Sequence, residues 1–396
     1  MIPAATRNPQ ALTILPHSGM NVREYFSLHF QGAVFPLTAG VILFGWRAAA
    51  VIVLVYLGTF AGVGIWRKIG SRGAQMNYAH ALWFATLLAL MLPAQLAANH
   101  LKGEYGGELT WPLPLAAGLL LAMFIWLLGG LGSGRIHPVI VTYLFIAALF
   151  WDLLIPRVAL DHNRLLLGDV LNSSPLPAQL VEKEPWLTRL APPGTDGQRE
   201  QPATESLSKY TSGREKPARG WLPLQGLLRD NLPPLEDLII GGRPAPIGMG
   251  SAVAVIIGGL FLLYRGVIDY RIPMIIVLVE FAALLILPIP SAVTDHTQWH
   301  WLAMRRSDVG WAAGITFANY EIMASPTLFM AFFLATAGPL RPMARRARVI
   351  YAILIGVGSA ALQLYMDASV GPYIALLGVS LLTPVMDYRF NPRPLV

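Results

Sequence analysis

The sequence lacks cysteine altogether, and charged residues make up only 13% of its 396 residues. Without cysteine, disulfides, thiolate catalysis, thiolate-held iron–sulfur clusters and Cys-ligated zinc are all excluded. Soluble domains carry about a quarter charged residues. Hydrophobic residues make up 55% of this chain, and they occur in long runs rather than at helical or strand spacing. Most helix faces must therefore contact lipid, and we predict an all-α membrane protein.

Apolar runs bounded by glycine, proline or charge are candidate transmembrane helices, and their number predicts about ten spans. The first run is short for a span, so we expect it to be tilted, re-entrant or extended at its start. In chain order the runs cover residues 33–46, 48–66, 78–98, 112–130, 137–155, 247–265, 272–290, 315–337, 347–366 and 371–387.

The distribution of basic residues predicts the orientation of these helices. With the N-terminus in the cytoplasm, fourteen Lys and Arg residues fall in cytoplasmic segments and four in short outer segments. This is the positive-inside pattern of a multi-pass protein, here expected in a bacterial inner membrane. Residues 1–32 and 388–396 are then a cytoplasmic N-terminal segment and tail. The net charge of +7 reflects this topology, so the predicted contact is with the lipid bilayer and no nucleic-acid partner is expected.

Residues 156–246 form one long polar stretch rich in proline, glycine, serine and charge, which the same alternation places in the periplasm. We predict that residues 191–219 are disordered and that residues 165–185 and 221–246, which are more apolar, pack down on the membrane part. Residues 33–155 and 247–387 then form two five-helix halves. An odd number of helices in each half allows the halves to be inverted repeats, which one sequence cannot demonstrate.

Four stretches of the sequence carry a recognisable pattern. They are LGGLGSGRIHPVIV at 128–141, IGMGSAVAVIIGGLFLLYRGVIDYRIP at 247–273, AFFLATAGP at 331–339 and GPYIALLGVSLLTPVMDYRFNPRP at 371–394. In this order they resemble the RnfD/NqrB family, which is the membrane flavin component shared by the Rnf ferredoxin:NAD oxidoreductase and the sodium-pumping NADH:quinone oxidoreductase.

The resemblance implies a ten-helix flavoprotein that passes electrons within a membrane complex, coupled to movement of Na⁺ or H⁺. The family typically carries FMN on a threonine of an outer-face motif, through a phosphoester, and often riboflavin between the helices. Such a chain is not an enzyme alone, because electron donors and acceptors must come from other subunits of the complex. A haem is not expected, because only His80 and His137 lie in or at the start of predicted helices.

The chain departs from the family pattern at the residues that would bind flavin. Ser174 stands where the family has its FMN-bearing threonine, and a serine hydroxyl can form the same phosphoester. The family's Gly-Glu-Thr-Ser becomes Gly248-Met249-Gly250-Ser251, and the asparagine of its Asn-Pro step becomes His137. Gly248, Gly250, Ser251 and His137 remain candidates for holding a flavin ring or phosphate at helix N-termini. For the glycines, tight helix packing is the competing interpretation.

Two carboxylates lie within apolar runs and are candidates for an ion or proton path. Glu280 is in the middle of IIVLVEFAALL, where a carboxylate is costly and should face the bundle interior. Glu321 precedes Pro326, whose ring interrupts the helix and exposes backbone carbonyls that can line a polar cavity. The competing interpretations are a neutral carboxyl bonded to a neighbouring helix for Glu280 and a helix-end residue for Glu321.

Two other functions fit the same sequence. The altered flavin motif favours a flavin-free scaffold or anchor within a larger complex. Two inverted five-helix halves would also suit a transporter of a small solute.

Overall fold

Helices dominate the fold of the chain. The computed structural model describes residues 22–69, 78–97, 112–128, 136–156, 202–211, 224, 227–228, 232–241, 243–292, 297–301, 310–338 and 340–390. The main helices in these ranges are α1 (Val22–Phe44), α2 (Trp46–Ile69), α3 (Tyr78–Met91), α4 (Pro112–Leu127), α5 (Pro138–Leu149), α6 (Ala203–Thr211), α7 (Leu235–Ile240), α8 (Ala252–Tyr264), α9 (Arg271–Ile286), α10 (Gly310–Ala324), α11 (Arg345–Tyr365) and α12 (Gly371–Phe390).

A helix overlaps each of the ten predicted runs, and several helices extend beyond their run. The first, α1, begins at Val22, so the extension at its start is confirmed. Among the described residues, three helical stretches are long and apolar enough to cross a membrane, namely Arg23–Phe44, Trp46–Lys68 and Arg345–Tyr365. The chain is therefore a helical membrane protein, and the number of spans stays a prediction.

Small residues let neighbouring helices approach closely in both halves. A Cβ on Gly58 of α2 would meet the Leu115 carbonyl of α4, and one on Gly118 of α4 would meet the Val55 carbonyl of α2. In the second half, a Cβ on Gly356 of α11 would lie 2.8 Å from a backbone carbonyl oxygen of α9. Close backbone approach of this kind replaces the hydrophobic effect as the source of helix association in lipid.

Part of the long polar stretch is folded. The prediction of disorder for 191–219 is wrong for residues 203–211, which form α6. One face of α6 is buried at the spacing of an amphipathic helix, and composition alone does not reveal that spacing. The buried residues are Ala203, Ser206, Leu207, Tyr210 and Thr211. In the next part of the stretch Leu224, Leu227 and Leu232 are also buried, as predicted for a segment that packs down.

A short β-hairpin is the one departure from the all-α prediction in the described ranges. Ile289–Ala292 and Thr297–His300 pair antiparallel just after α9, where the sequence predicts a helix end and a connecting loop. Pro288 and Pro290 lie at this point, and proline ends a helix because its nitrogen has no hydrogen to donate.

Candidate functional site

Glu280 lies in the middle of α9 and is completely buried. The residues around it are Ile, Val, Leu, Phe and Ala, so the helix forms from an apolar run that carries a single carboxyl group. A carboxyl in this position has lost its water, and it must be neutral, paired or hydrogen-bonded.

A second helical stretch is interrupted at Ser325 and Pro326, and Thr327, just beyond this interruption, donates a hydrogen bond to that carboxyl. Helix α10 ends at Ala324, and a short helix, Thr327–Phe329, continues into a π-helical turn, Met330–Leu334. Pro326 cannot donate a backbone hydrogen bond, which interrupts the helical ladder at this point. Both Ser325 and Thr327 are buried; Thr327 donates to Glu280, and Ser325 donates to the Thr327 hydroxyl oxygen.

One oxygen of Glu280 receives two hydrogen bonds from different helices. Thr327 donates its hydroxyl to Glu280 Oε1 over 2.5 Å, and Gln363 of α11 donates its side-chain amide to the same oxygen over 2.7 Å. The Gln363 amide nitrogen also lies 2.7 Å from Thr327 Oγ1 and 3.1 Å from Ser325 Oγ. It also lies 3.5 Å from Ser359 Oγ, on the same helix. Five polar side chains from three parts of the chain therefore form one buried network.

Several buried oxygens in and beside this network have no hydrogen-bond partner among the described residues. They are Glu280 Oε2, Gln363 Oε1 and both carboxyl oxygens of Glu321. Glu321 is also completely buried and lies one helical turn before Ser325, whose backbone amide donates to the Glu321 carbonyl over 3.2 Å. We call Glu280, Glu321, Ser325, Thr327 and Gln363 the carboxylate cluster. A group of oxygens without donors can accept a proton or bind a hard cation.

His137 does not join the carboxylate cluster. It is the N-cap residue of α5 and lies among aromatic rings of the first half. The centroid of its ring lies 4.9 Å from that of Phe84 and 6.3 Å from that of Trp83. His80 lies 4.0 Å from Phe84, and His29 lies 4.9 Å from Trp83. We call these five residues the imidazole cluster, and all of them are buried.

The nitrogens of the imidazole cluster are largely without partners within the described residues. His29 Nδ1 lies 3.0 Å from the Tyr25 carbonyl oxygen, to which it can donate. By contrast, both nitrogens of His137, Nδ1 of His80 and Nε1 of Trp83 lack a hydrogen-bond partner. The described residues hold no group of three metal-binding side chains in ligand geometry. The cluster is held by ring packing rather than by polar contacts.

The glycines predicted to cradle a flavin are packed against side chains. A Cβ on Gly248 would lie 2.6 Å from Leu90 Cβ, and one on Gly250 would lie 2.8 Å from the Phe44 ring. Ser251 caps α8, where its hydroxyl accepts from the Ala254 amide and donates to the Ile239 carbonyl. Side chains therefore fill the space directly above Gly248 and Gly250, and flavin binding at these residues stays a prediction.

Ser174, the predicted FMN attachment site, lies outside the described residues. The proposed phosphoester at this serine therefore stays a prediction.

On the opposite side of the membrane part from α6, an ion pair joins two connections. Arg348 donates to Asp269 Oδ2 over 2.9 Å and to the Pro342 carbonyl over 2.9 Å. Partial burial raises the pKa of Asp269, but the hydrogen bonds from Arg348 and the Arg271 amide and the two arginine charges hold it below its usual value. This ion pair fixes the α8–α9 turn against the start of α11.

Acidic side chains that are buried between apolar helices mark the chain as a helical membrane protein with a polar site inside its membrane part. The chain belongs to the NQR2, RnfD, RnfE family, whose sequence profile matches residues 15–395. The resemblance found in four stretches of the sequence is thereby confirmed.

Curated relatives are all distant. The chain is 27% identical over 155 residues to the D component of an ion-translocating oxidoreductase complex from Halorhodospira halophila, and 28% identical over 164 residues to the D component of a Na(+)-translocating ferredoxin:NAD(+) oxidoreductase complex from Acetobacterium woodii. These matches cover 39% and 41% of this chain and only 38% and 42% of the relatives. The D component of an ion-translocating oxidoreductase complex from Haemophilus ducreyi is 24% identical over 336 residues, which is 78% of this chain and 75% of that protein.

Sequence reasoning identified the two carboxylates and the break at Pro326 but missed Gln363 and His29. Gln363 is 83 residues from Glu280, and only the packing of α11 on α9 brings the two together. His29 lies in the first part of α1, ahead of the apolar run that predicted this helix. A glutamine within an otherwise apolar helix is the signal that would have singled out Gln363.

Proposed function

We propose that this chain is a membrane subunit of an ion-translocating electron-transport complex and that the carboxylate cluster is the station for the moving cation or proton. The observation that carries the proposal is the burial of Glu280 with one oxygen fixed and the other without a partner among the described residues. A residue needed only for packing would be apolar, because burial of a carboxyl within the membrane costs about 2–4 kcal/mol of free energy unless something stabilises it.

The hydrogen bonds around Glu280 give its two carboxyl oxygens different roles. Thr327 and Gln363 hold Oε1 by donating to it, which fixes the orientation of the carboxyl group. Oε2 is then presented to an incoming proton or cation, together with the unpaired Gln363 Oε1. Glu321 supplies two more acceptors one helical turn before Ser325, and we propose that they form the next position for the moving charge.

Family membership supports the complex and its coupling to ions. The relatives are described as subunits of ion-translocating oxidoreductase complexes, and one as Na⁺-translocating. By analogy, partner subunits provide the electron donor and acceptor here, since the chain has no cysteine to hold clusters. We also propose the predicted setting: a bacterial inner membrane with both termini in the cytoplasm and α6 on the periplasmic side.

Flavin belongs to this proposal as the electron carrier of the family. FMN on Ser174 or a bound riboflavin would supply one- and two-electron transfer when present. Ultraviolet fluorescence of the denatured protein band tests covalent FMN, and a Ser174→Ala variant should lose any such fluorescence. Extraction of the native protein with solvent tests for riboflavin.

A scaffold without flavin is the second candidate, favoured by the side chains packed against Gly248 and Gly250. It predicts that the purified native protein contains no flavin, covalent or extractable, while the complex still assembles. Detection of flavin in stoichiometric amount would exclude the scaffold.

Glu280→Gln tests the ion station directly. In membrane vesicles that contain the assembled complex, we expect ion transport to fall more than about tenfold, because the amide cannot take up or release a proton or balance a cation. Glu24→Gln, at an exposed position on α1, is the matched control and should transport normally. Normal transport by Glu280→Gln in a complex of normal composition would refute the proposed station.

A further inference from the structure

A cavity of about 210 Å³ lies on the side of the bundle that carries α6, which we call the loop side. Its walls come from α5, α6, the start of α12 and the connection between α11 and α12, so both halves and the long polar stretch contribute. At about 30 Å³ per water molecule, this volume has room for several waters. We call it the loop-side cavity.

The walls of the loop-side cavity are mostly apolar, but they include several polar side chains and a well-fixed carboxylate. Asp367 accepts hydrogen bonds from the amide and the hydroxyl of Ser369. On the facing wall, Ser208 of α6 accepts from the Ala368 amide over 3.0 Å, and Glu205 pairs with Lys209 over 2.9 Å. These contacts hold α6 over the helix ends and leave the second oxygen of Asp367 available on the wall.

The cavity reaches the interruption between α10 and the short helix Thr327–Phe329, where part of the carboxylate cluster lies. Ala324 and Pro326 both line it, and the residue between them, Ser325, hydrogen-bonds Thr327 inside the cluster. Asp367 lines the cavity, and Glu321 lies one helical turn before Ser325 on the helix whose end the cavity reaches. Three carboxyl groups thus lie on the cavity wall, near the end of α10 and in the middle of α9.

We propose that the loop-side cavity is the passage by which a small monovalent cation, Na⁺ or a proton, enters or leaves the carboxylate cluster, with Asp367 as its outermost carboxylate. This inference rests on the proposed function and adds the route and the side of access. A negatively charged wall within a low-dielectric surround concentrates cations, and the completely buried oxygens of Glu321, unpartnered among the described residues, offer them a destination.

The absence of native cysteine makes the route accessible to thiol labelling. We would introduce Ala324→Cys at the deep wall of the cavity and apply a membrane-impermeant, positively charged methanethiosulfonate from the loop side, with the complex intact. Met366→Cys, at an exposed wall position, reports that the reagent arrives. Ala318→Cys, a buried position on the same helix away from the cavity, is the matched control.

The proposal expects Ala324→Cys to react at a rate near that of Met366→Cys and to lose most ion transport on modification, while Ala318→Cys does not react. It is overturned if Ala324→Cys reacts no faster than Ala318→Cys, or if its modification leaves transport unchanged. Should Ala324→Cys fail to assemble, Ser369→Cys on the same cavity wall replaces it under the same criteria.

Asp367→Asn is an independent test of the proposed route. We expect the half-saturating cation concentration to rise about two- to fivefold with the maximal rate nearly unchanged, the range of one solvent-accessible charge. An unchanged half-saturating concentration would remove Asp367 from the route. Protection of Ala324→Cys by Na⁺, but not by N-methylglucamine, identifies sodium; transport that follows pH without such protection identifies the proton.

The two proposals fail in different ways. If Glu280→Gln transports normally, the carboxylate cluster is not the ion station. If Glu280→Gln is inactive while Ala324→Cys is modified without loss of transport, the station stands and the ion uses another route.

Discussion

The carboxylate cluster and the imidazole cluster solve the same problem, polar groups buried between apolar helices, in different ways. In the first, side chains from three parts of the chain hydrogen-bond one another, and acceptors remain in excess. In the second, aromatic rings surround the histidines and leave their nitrogens largely without partners among the described residues. The excess of hydrogen-bond acceptors in the carboxylate cluster suits a site that takes up positive charge. The close ring contacts of the imidazole cluster suit a site that is held together by the packing of its side chains.

The largest effect should come from removing the central ring of the imidazole cluster. Trp83 is completely buried against His29 and Phe26, so Trp83→Ala would leave a large cavity. We expect a loss of about 3–5 kcal/mol in the free energy of unfolding, measured in mixed detergent micelles. Tyr78→Ala, at a half-exposed position at the start of the same helix, is the control. A loss no larger than the control's would show that ring packing does not hold this cluster.

A smaller loss is expected where hydrogen bonds hold the cluster. Thr327→Val keeps the shape of the side chain but removes the hydroxyl that donates to Glu280, and should cost about 1–3 kcal/mol in the same unfolding measurement. Thr142→Val is the matched control, because this buried threonine donates to the Pro138 carbonyl of its own helix. Equal costs for the two variants would mean that the bond to Glu280 adds nothing to stability.

His137→Phe should change stability in the opposite direction. Both imidazole nitrogens lack partners among the described residues, so a phenyl ring removes buried polar atoms at similar volume and should stabilise the fold by up to about 1 kcal/mol. His29→Phe, which gives up the bond to the Tyr25 carbonyl, should gain less. A destabilised His137→Phe, or one that loses bound flavin, would instead assign a ligand to His137.

The smallest effect is expected for the ion pair between Asp269 and Arg348, which is partly exposed to solvent. Asp269→Asn should cost less than about 1 kcal/mol at pH 7. Because folding lowers the pKa of Asp269, its contribution is present above the unfolded pKa and is lost as the pH falls through the folded pKa. Thermal unfolding of the variant and the wild type should therefore converge below about pH 4. Asp152→Asn, at an exposed helix end, is the control, and a difference that persists in acid would contradict the assignment.

The helices and both carboxylates were predictable because they depend on local signals. An apolar run predicts a helix, a lone glutamate within it marks a buried polar group, and Pro326 marks a break. Partners were not predictable, because Gln363 reaches Glu280 only through the packing of α11 on α9. The same holds for α6, whose buried face is five residues in a stretch of polar composition. The π-helical turn at Met330–Leu334 likewise has no sequence signature.

A contact between α1 and a part of the chain far along the sequence constrains how the protein is made. The Tyr25 hydroxyl of α1 accepts a hydrogen bond from the Gly338 amide, 313 residues further along. At about 5–20 residues per second, the ribosome needs roughly 15–60 s to synthesise that interval. Until Gly338 has been synthesised, the Tyr25 end of α1 lacks this contact. We therefore expect the insertion machinery or a chaperone to cover the buried face of α1 during that time. Truncated nascent chains that end before Gly338 should therefore be more sensitive to membrane proteases at α1 than chains that extend beyond it.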